Sequence, residues 1–180
     1  MSSEETLVEK KTKVLIKLRG YKVLKKEEEK NANSYIVKMK DGKDAIIWAV
    51  TTSGTVGVAY ITQLKKAMDD AELEKGIIVT IGKYTHTAKK RSKKFKIELI
   101  PKTFPAFKIF DHEFVSKHEL LTQEEKEKFL AESKIEAYQL PRINSSDPAI
   151  IAIGGNPGDI VRVIRNSKTA GKYESFRYVV

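Results

Sequence analysis

The alternation of apolar and polar residues predicts an ordered series of helices and strands in the first half of the chain. Apolar residues recur every three or four positions over residues 4–19 and 55–73, a spacing typical of amphipathic helices. Residues 85–94 are predicted to form a short basic helix, and the polar stretch 27–33 is predicted to be a loop. The β-prone segments are residues 21–24, 34–39, 44–51, 76–81 and 95–100. This order, α-β-β-β-α-β-α-β, predicts an α/β fold with helices packed against a sheet.

The second half of the chain contains explicit signals for the starts of helices. Thr122 and Glu125 have the spacing of a capping box, in which each side chain binds the other residue's backbone N–H. Asp147 and Pro148 suit the N-cap and the first position of a second helix, which a pair of glycines ends. Extended segments are predicted at residues 106–110, 139–143, 160–165 and 173–180, the last two forming a hairpin.

The charge of the chain is distributed unevenly. The 180 residues include 34 Lys+Arg and 24 Asp+Glu, a formal net charge of +10. Residues 1–110 hold 24 of the basic and 13 of the acidic residues, whereas residues 111–180 hold 10 and 11. Between residues 83 and 108 there are nine basic residues and one acidic residue. A solvated helix face is the simple explanation, but this density favours a surface that faces nucleic acid.

Two predictions follow from this distribution. Pro101 and Pro105 interrupt regular structure, so we place a boundary there and expect domains at residues 1–105 and 106–180. We define the basic patch as the seven cations expected to contact DNA: Lys83, Lys89, Lys90, Arg91, Lys93, Lys94 and Lys96. Tyr84 and Phe95 lie beside these cations in the sequence and could stack on bases, although roles in the core are favoured.

Several classes of function are excluded by what the sequence lacks. The chain has no cysteine, which excludes disulfides, thiolate catalysis and cysteine-ligated zinc. Its longest apolar run, residues 45–50, is far shorter than the ~20 residues that span a bilayer, and the N-terminus does not resemble a secretory signal. His86, His112 and His118 lack the spacing of metal ligands. We therefore expect a soluble intracellular protein with no metal, no cofactor and no catalytic residues of its own.

The second half closely resembles a small assembly subunit of archaeal RNA polymerases, one that is similar to the C-terminal domain of the fifth-largest eukaryotic polymerase subunit. The matching motifs are Lys117-His118-Glu119, Leu140-Pro141-Arg142-Ile143, Ser146-Asp147-Pro148, Gly158-Asp159-Ile160-Val161, Val163-Ile164-Arg165, Thr169-Ala170-Gly171 and Arg177-Tyr178-Val179-Val180. The resemblance implies a small two-layer α/β domain with a mixed sheet, which assembles onto the largest polymerase subunit.

The resemblance also gives a set of expected contacts with the polymerase. These candidate interface residues are Arg142, Asp147, Pro148, Ile151, Arg165, Thr169, Arg177 and Tyr178. The chain departs from the family pattern at Ile151, where the family usually has Arg, and the isoleucine could enlarge an apolar surface for a partner. Asp147 is most simply the cap of its helix.

The first half resembles the end of an Mrr-type restriction endonuclease domain, and a similar fold is found in the N-terminal jaw of the fifth-largest eukaryotic polymerase subunit. The matching segments are residues 76–85 and 97–100, together with Gly57-Val58 and Gln63-Leu64. The resemblance implies a domain of the restriction-endonuclease type. Such nucleases hold a divalent metal with an Asp on one strand and a Glu or Gln-x-Lys on the next.

The chain lacks these nuclease residues. Trp48 and Val50 stand where the acidic or amide residue and the lysine are expected, and residues 34–39 contain no carboxylate. Asp41 and Asp44 flank a turn and are assigned to it. We therefore expect a catalytically inactive binding domain.

The leading hypothesis is a non-catalytic subunit of DNA-directed RNA polymerase, a nucleotidyltransferase complex. Its C-terminal domain would dock on the largest subunit, and its basic domain would face downstream duplex DNA without sequence preference. Two alternatives remain: a metal-dependent nuclease that recruits Glu27, Glu28 or Asp41, and a free-standing DNA-binding regulator. The expected location is an archaeal cytoplasm, or a nucleus if the source is eukaryotic.

Overall fold

The computed structural model describes residues 6–28, 32–51, 54–167 and 171–180, and the chain divides into two compact units. The first unit is Met1–Phe107 and the second is Lys108–Val180. Among the described residues, no helix has both the length and the apolar character needed to cross a membrane.

The first unit is a five-stranded sheet with three helices over its described residues. The helices are α1 (Leu7–Arg19), α2 (Val58–Asp70) and α3 (His86–Lys94). The strands are β1 (Lys22–Glu28), β2 (Ala32–Lys38), β3 (Asp44–Val50), β4 (Lys75–Thr80) and β5 (Ile97–Ile100). The sheet order is β1-β2-β3-β4-β5, antiparallel as far as β3 and parallel from there to β5. This confirms the predicted α/β fold class.

The local sequence explains most of these elements. Thr6 and Glu9 form a capping box at the start of α1, and Gly20 ends the helix at a left-handed φ of 65°. Parallel strands cannot be joined by a tight turn, so α2 connects β3 to β4 and α3 connects β4 to β5. Residues 45–50 and 76–80 are buried because helices cover the centre of the sheet.

Two expectations for the first unit are wrong. Glu27 and Glu28 belong to β1, and Ala32 and Asn33 belong to β2, so the described residues at both ends of the predicted loop 27–33 belong to paired strands. All seven residues of β1 are exposed at the edge of the sheet, so no alternation of apolar residues marks this strand. Phe95 closes α3 instead of beginning β5, since its N–H continues the helical hydrogen bonding to Arg91.

The second unit is a smaller layer of helices on a four-stranded mixed sheet. Its helices are α4 (Gln123–Ser133) and α5 (Pro148–Ile153), with short 3-10 turns at Ile109–Asp111 and Ala137–Gln139. Its strands are β6 (Lys117–Leu120), β7 (Arg142–Ile143), β8 (Ile160–Ser167) and β9 (Gly171–Val179). The order is β6-β8-β9-β7, antiparallel except between β9 and β7. The mixed α/β fold implied by the resemblance is confirmed.

Both predicted helix starts in this unit are confirmed. Thr122 and Glu125 form the capping box of α4, and the Asp147 side chain accepts a hydrogen bond from the Ala149 N–H. The expectation that residues 106–110 are extended is wrong at its end, where a 3-10 turn begins at Ile109. Strand β6 has no counterpart among the predicted elements.

Candidate functional site

Helix α3 carries most of the basic patch and turns it towards solvent. Ala88 and Ser92, four residues apart on one face, are buried against the first unit, and the Thr85 side chain accepts a hydrogen bond from the Ala88 N–H to cap the helix. The remaining helix positions must therefore point outwards. All seven cations are exposed: Lys83, Lys89, Lys90, Arg91, Lys93, Lys94 and Lys96.

The patch is strongly positive. No Asp or Glu occurs between residues 83 and 96, and none of the seven cations forms a salt bridge with another residue that the structure describes. Lys96 ends the series in a left-handed conformation, with φ of 56°, just after the helix. Such a surface attracts polyanions, and the attraction weakens as salt concentration rises.

An open groove of about 500 Å³ lies along one side of α3. It divides the basic patch, since three of the seven cations line it and the others do not. The lining residues are Val58, Thr87, Lys90, Arg91, Lys94 and Phe95. The guanidinium of Arg91 lies over the Phe95 ring, 5.4 Å from its centre. The groove thus combines positive charge with an apolar surface.

Tyr84 has a structural role. Its hydroxyl oxygen lies 2.9 Å from the Ile78 carbonyl oxygen and 2.8 Å from that of Ile100, which ties the ring to β4 and β5. Burial raises the pKa of this hydroxyl well above its ordinary value. The stacking role considered for Tyr84 therefore does not fit, because a ring held in this way supports the sheet.

The strand that should carry nuclease chemistry is entirely apolar between Ala45 and Val50. Trp48 and Val50 belong to the hydrophobic cluster that also contains Ile61 and Leu64 of α2. Residues 47 and 49 point to the opposite face of β3, and they are also buried and apolar. Over residues 45–50, neither face of this strand therefore offers a carboxylate or an amine, and Asp44 stands at its first position.

The acidic residues that an alternative metal site would need have other roles. The Asp41 side chain accepts a hydrogen bond from the Lys43 N–H at 3.1 Å, which confirms its assignment to the turn. Glu27 and Glu28 pair with neighbouring lysines of β1, each at 2.5 Å. Within the described ranges, no three metal-ligating side chains come together.

A buried ion pair that the sequence did not predict joins α1 to β5. Arg19, with 1% of its side chain exposed, contacts Glu98 of β5. Burial raises the pKa of Glu98, but the charge and hydrogen bonds of Arg19 outweigh it and hold this pKa below its usual value. The sequence signal was a single carboxylate within the otherwise apolar strand Ile97–Ile100.

The candidate polymerase-interface residues have different environments in the second unit. Arg142 and Arg165 are exposed on β7 and β8, and the Arg177 guanidinium donates a hydrogen bond to the Arg142 carbonyl oxygen at 3.4 Å. Tyr178 pairs with Arg142 across the sheet and is partly exposed.

The remaining interface candidates lie around α5 and the last hairpin. Asp147 caps α5, and Pro148 is exposed at the first position of that helix. Ile151 is only 9% exposed, so little of its side chain is available for a partner surface, and its expected contact stays a prediction. Thr169 lies outside the described residues.

A charge cluster that sequence reasoning missed joins α4 to the sheet. Arg162 of β8 lies 3.7–3.8 Å from carboxylate oxygens of Glu119, Glu125 and Glu174, and its guanidinium is 5.9 Å from the centre of the Phe176 ring. Phe176 in turn stacks on Phe129 of α4, with ring centres 4.0 Å apart. These residues come from three strands and a helix, so only the tertiary structure brings them together.

Each of the two units matches a family of known proteins. The family described as restriction endonuclease matches residues 3–103, and the family described as RNA polymerase Rpb5, C-terminal domain, matches residues 107–179. The chain is 34% identical over 156 residues to the subunit rpabc1 of DNA-directed RNA polymerases I, II and III from Dictyostelium discoideum. The aligned region covers 83% of this chain and 79% of that protein. The chain belongs to the Rpb5 family of RNA polymerase subunits.

Shorter relatives match less than half of this chain. DNA-directed RNA polymerase subunit Rpo5 of Thermococcus kodakarensis is 49% identical over 74 residues, which is 41% of this chain and 90% of that subunit. A solved structure of EndoMS in its apo form is similar at 21% identity, covering 44% of this chain and 37% of the other with a TM-score of 0.38. That score is too low to support a functional argument. As an Rpb5-family member, the chain joins a unit that matches the restriction endonuclease family to a unit that matches the Rpb5 C-terminal domain.

Proposed function

We propose that this chain is a non-catalytic subunit of DNA-directed RNA polymerase, in which the second unit docks on the largest subunit and the first unit contacts downstream duplex DNA. The observation that carries the DNA contact is the basic patch: seven exposed cations without an acidic residue among them. Phosphate contacts of this kind position DNA without reading its sequence.

The composition of β3 supports a binding function for the first unit. A hard divalent cation needs oxygen ligands, and residues 45–50 provide only apolar side chains that are packed into the core. The restriction-endonuclease-like fold then serves as a scaffold that presents α3. The second unit is nearly neutral, which suits a protein partner better than a polyanion.

The DNA contact can be tested with the full chain by measuring duplex affinity over a range of salt concentrations. Lys89, Lys90, Arg91, Lys93 and Lys94 are replaced together by alanine. The slope of log K against log salt should become shallower by about one unit for each cation that contacts a phosphate. A matched control removes five exposed lysines elsewhere in the same unit: Lys10, Lys22, Lys38, Lys40 and Lys66. An unchanged slope in the patch variant, or an equal change in the control, contradicts the DNA contact.

The polymerase contact can be tested by co-purification from cells of the source organism. A subunit should be recovered with polymerase in stoichiometric amount, whereas a free-standing regulator should not. Replacing Arg142 and Arg177 by alanine should reduce recovery if these side chains contact the largest subunit. Replacement of Lys134, which is exposed at the end of α4, serves as the control. Full recovery of the double variant would remove these two arginines from the proposed interface.

A further inference from the structure

The groove beside α3 contains features that a duplex DNA surface does not need. A duplex presents its phosphates outwards and keeps its bases stacked inside, so exposed cations are sufficient to bind it. The groove is instead concave, with a volume of about 500 Å³, and Val58 and Phe95 give it an apolar part. This volume is within the ~300–1,000 Å³ range of pockets that enclose small ligands.

The cations of the groove are arranged to hold phosphates along one direction. Lys90 and Lys94 are four residues apart in α3, so they lie one above the other on the same helix face. Thr87 lies one turn before Lys90 and adds a hydroxyl on this face. Lys89 and Lys93 have the same spacing on the same helix but do not line the groove.

The apolar part of the groove can receive the face of a base. Phe95 packs against the core cluster, and the planar guanidinium of Arg91 lies over its ring, so Arg91 can extend a stack outwards from Phe95. Val58, the first residue of α2, lies opposite. The N-cap of α2 is Gly57, which gives no side-chain hydrogen bond, and the first turn has no acidic residue. Negative charge is therefore favoured at this end of the helix as well.

We propose that this groove binds an unpaired nucleotide of single-stranded DNA, with its neighbouring phosphates on Lys90 and Lys94 and its base against Val58, Arg91 and Phe95. This inference rests on the proposed function, because it assumes that α3 faces nucleic acid. It adds a preference that duplex contacts alone do not produce. A base in a duplex cannot reach the groove without leaving the stack, whereas an unpaired base exposes its face at no such cost.

The test compares the full chain and its variants in binding oligothymidylate of about 12 nucleotides, within the ~4–16 nucleotide site sizes of single-strand binders, and a duplex of the same length. Lys90 and Lys94 are replaced by alanine in one variant, and Lys89 and Lys93 in the control. Both variants lose two charges from the same helix. We expect the Lys90/Lys94 variant to lose at least fivefold more affinity for the single strand than the Lys89/Lys93 control does. The two variants should lose similar amounts of affinity for the duplex.

A second variant tests the groove without changing charge. Thr87→Leu fills part of the groove with an aliphatic side chain that offers no stacking face, and it should reduce oligothymidylate affinity about as much as loss of a stacked base, roughly tenfold. His86→Leu adds the same side chain at the adjacent exposed position, which does not line the groove, and should have little effect. Duplex affinity should be the same in both variants.

The possible results separate this inference from the proposed function. Equal losses in the two lysine pairs, or no effect of Thr87→Leu on single-strand binding, would overturn the groove assignment while leaving salt-dependent duplex binding intact. Effective competition by a poly-glutamate peptide of similar length would also overturn it, since the groove would then be a site for an acidic protein segment. If the five-residue patch variant binds duplex like the unmodified chain, the DNA contact of the proposed function fails instead.

Discussion

Arg19 at the end of α1 holds Glu98 of β5 by two hydrogen bonds, from Nη1 to Oε2 at 2.8 Å and from Nη2 to Oε1 at 2.5 Å. The two residues are 79 positions apart in the sequence. The pair joins the first helix of the first unit to its last strand. A guanidinium and a carboxylate in this two-bond geometry fix orientation as well as distance.

Removing one partner of this pair should destabilise the first unit strongly. Glu98→Ala leaves the buried Arg19 without its carboxylate, and loss of a partner from a buried pair typically costs ~3–5 kcal/mol in the free energy of unfolding. We expect a loss of about 3 kcal/mol, at the low end of this range, because 30% of the Glu98 side chain is exposed to solvent. The loss of unfolding free energy can be measured by urea unfolding followed by the fluorescence of Trp48. Trp48 is the single tryptophan of the chain and lies in the hydrophobic cluster of the first unit.

An exposed ion pair provides the control for this experiment. Lys43 and Glu74 are 2.8 Å apart, but 60% and 77% of their side chains are exposed. Glu74→Ala should change the free energy of unfolding far less than Glu98→Ala does, because solvent screens an exposed pair. A similar effect of the two substitutions would contradict the structural role assigned to Arg19 and Glu98.

The same pair predicts a dependence of stability on pH. The pKa of Glu98 in the folded protein lies below its ordinary value of 4.5, because Arg19 outweighs the effect of burial. The stability from this carboxylate is therefore present above pH 4.5 and is lost as the pH falls through the lower folded pKa. Glu98→Gln lacks this titration, so the difference in unfolding free energy between the unmodified chain and the variant should shrink below pH 4.5. A constant difference between pH 7 and pH 3 would show that Glu98 is not the group responsible.

Gly76 should not tolerate a side chain, because α2 packs directly over the start of β4. A Cβ atom at this position would lie 2.6 Å from Met68 Sδ and 3.2 Å from Leu64 Cδ2. Gly76→Ala should therefore cost ~1–3 kcal/mol in the unfolding free energy reported by Trp48. Gly54→Ala is the matched control, since none of the described residues beyond its chain neighbours places an atom within 4 Å of a Cβ there. An equally small effect at both positions would mean that α2 moves away from the strand with little cost.

Loss of a helix cap should weaken the second unit locally. The Thr122 side chain accepts a hydrogen bond from the Glu125 N–H at 3.2 Å, and Glu125 accepts one from the Thr122 N–H at 2.9 Å. Thr122→Ala removes half of this capping box and should cost about 1 kcal/mol. Hydrogen exchange of the amides in α4 should become faster, while the amides of α1 keep their rates. Thr122→Ser retains the hydroxyl and should keep the exchange rates of the unmodified chain.

Local sequence signals determined a large part of this protein. Thr122, Asp147 and Gly20 mark helix ends through hydrogen bonds and backbone angles that involve only nearby residues, so their motifs predict the structure directly. The continuous apolar run of β4 and the uneven distribution of charge are likewise visible without coordinates. Motif order was sufficient to identify the polymerase-subunit resemblance of the second half.

Contacts between distant residues were decided only by the tertiary structure. Strand β1 buries neither face and forms by pairing with β2, so its exposed, charged residues carry no periodic signal. The pairing of Arg19 with Glu98 and the cluster around Arg162 depend on which strands become neighbours. The sequence determined that α3 is basic, but the packing of α3 beside α2 decides that Lys90 and Lys94 line a groove while Lys89 and Lys93 do not. Position relative to a neighbouring element is a property of the fold, and no local pattern encodes it.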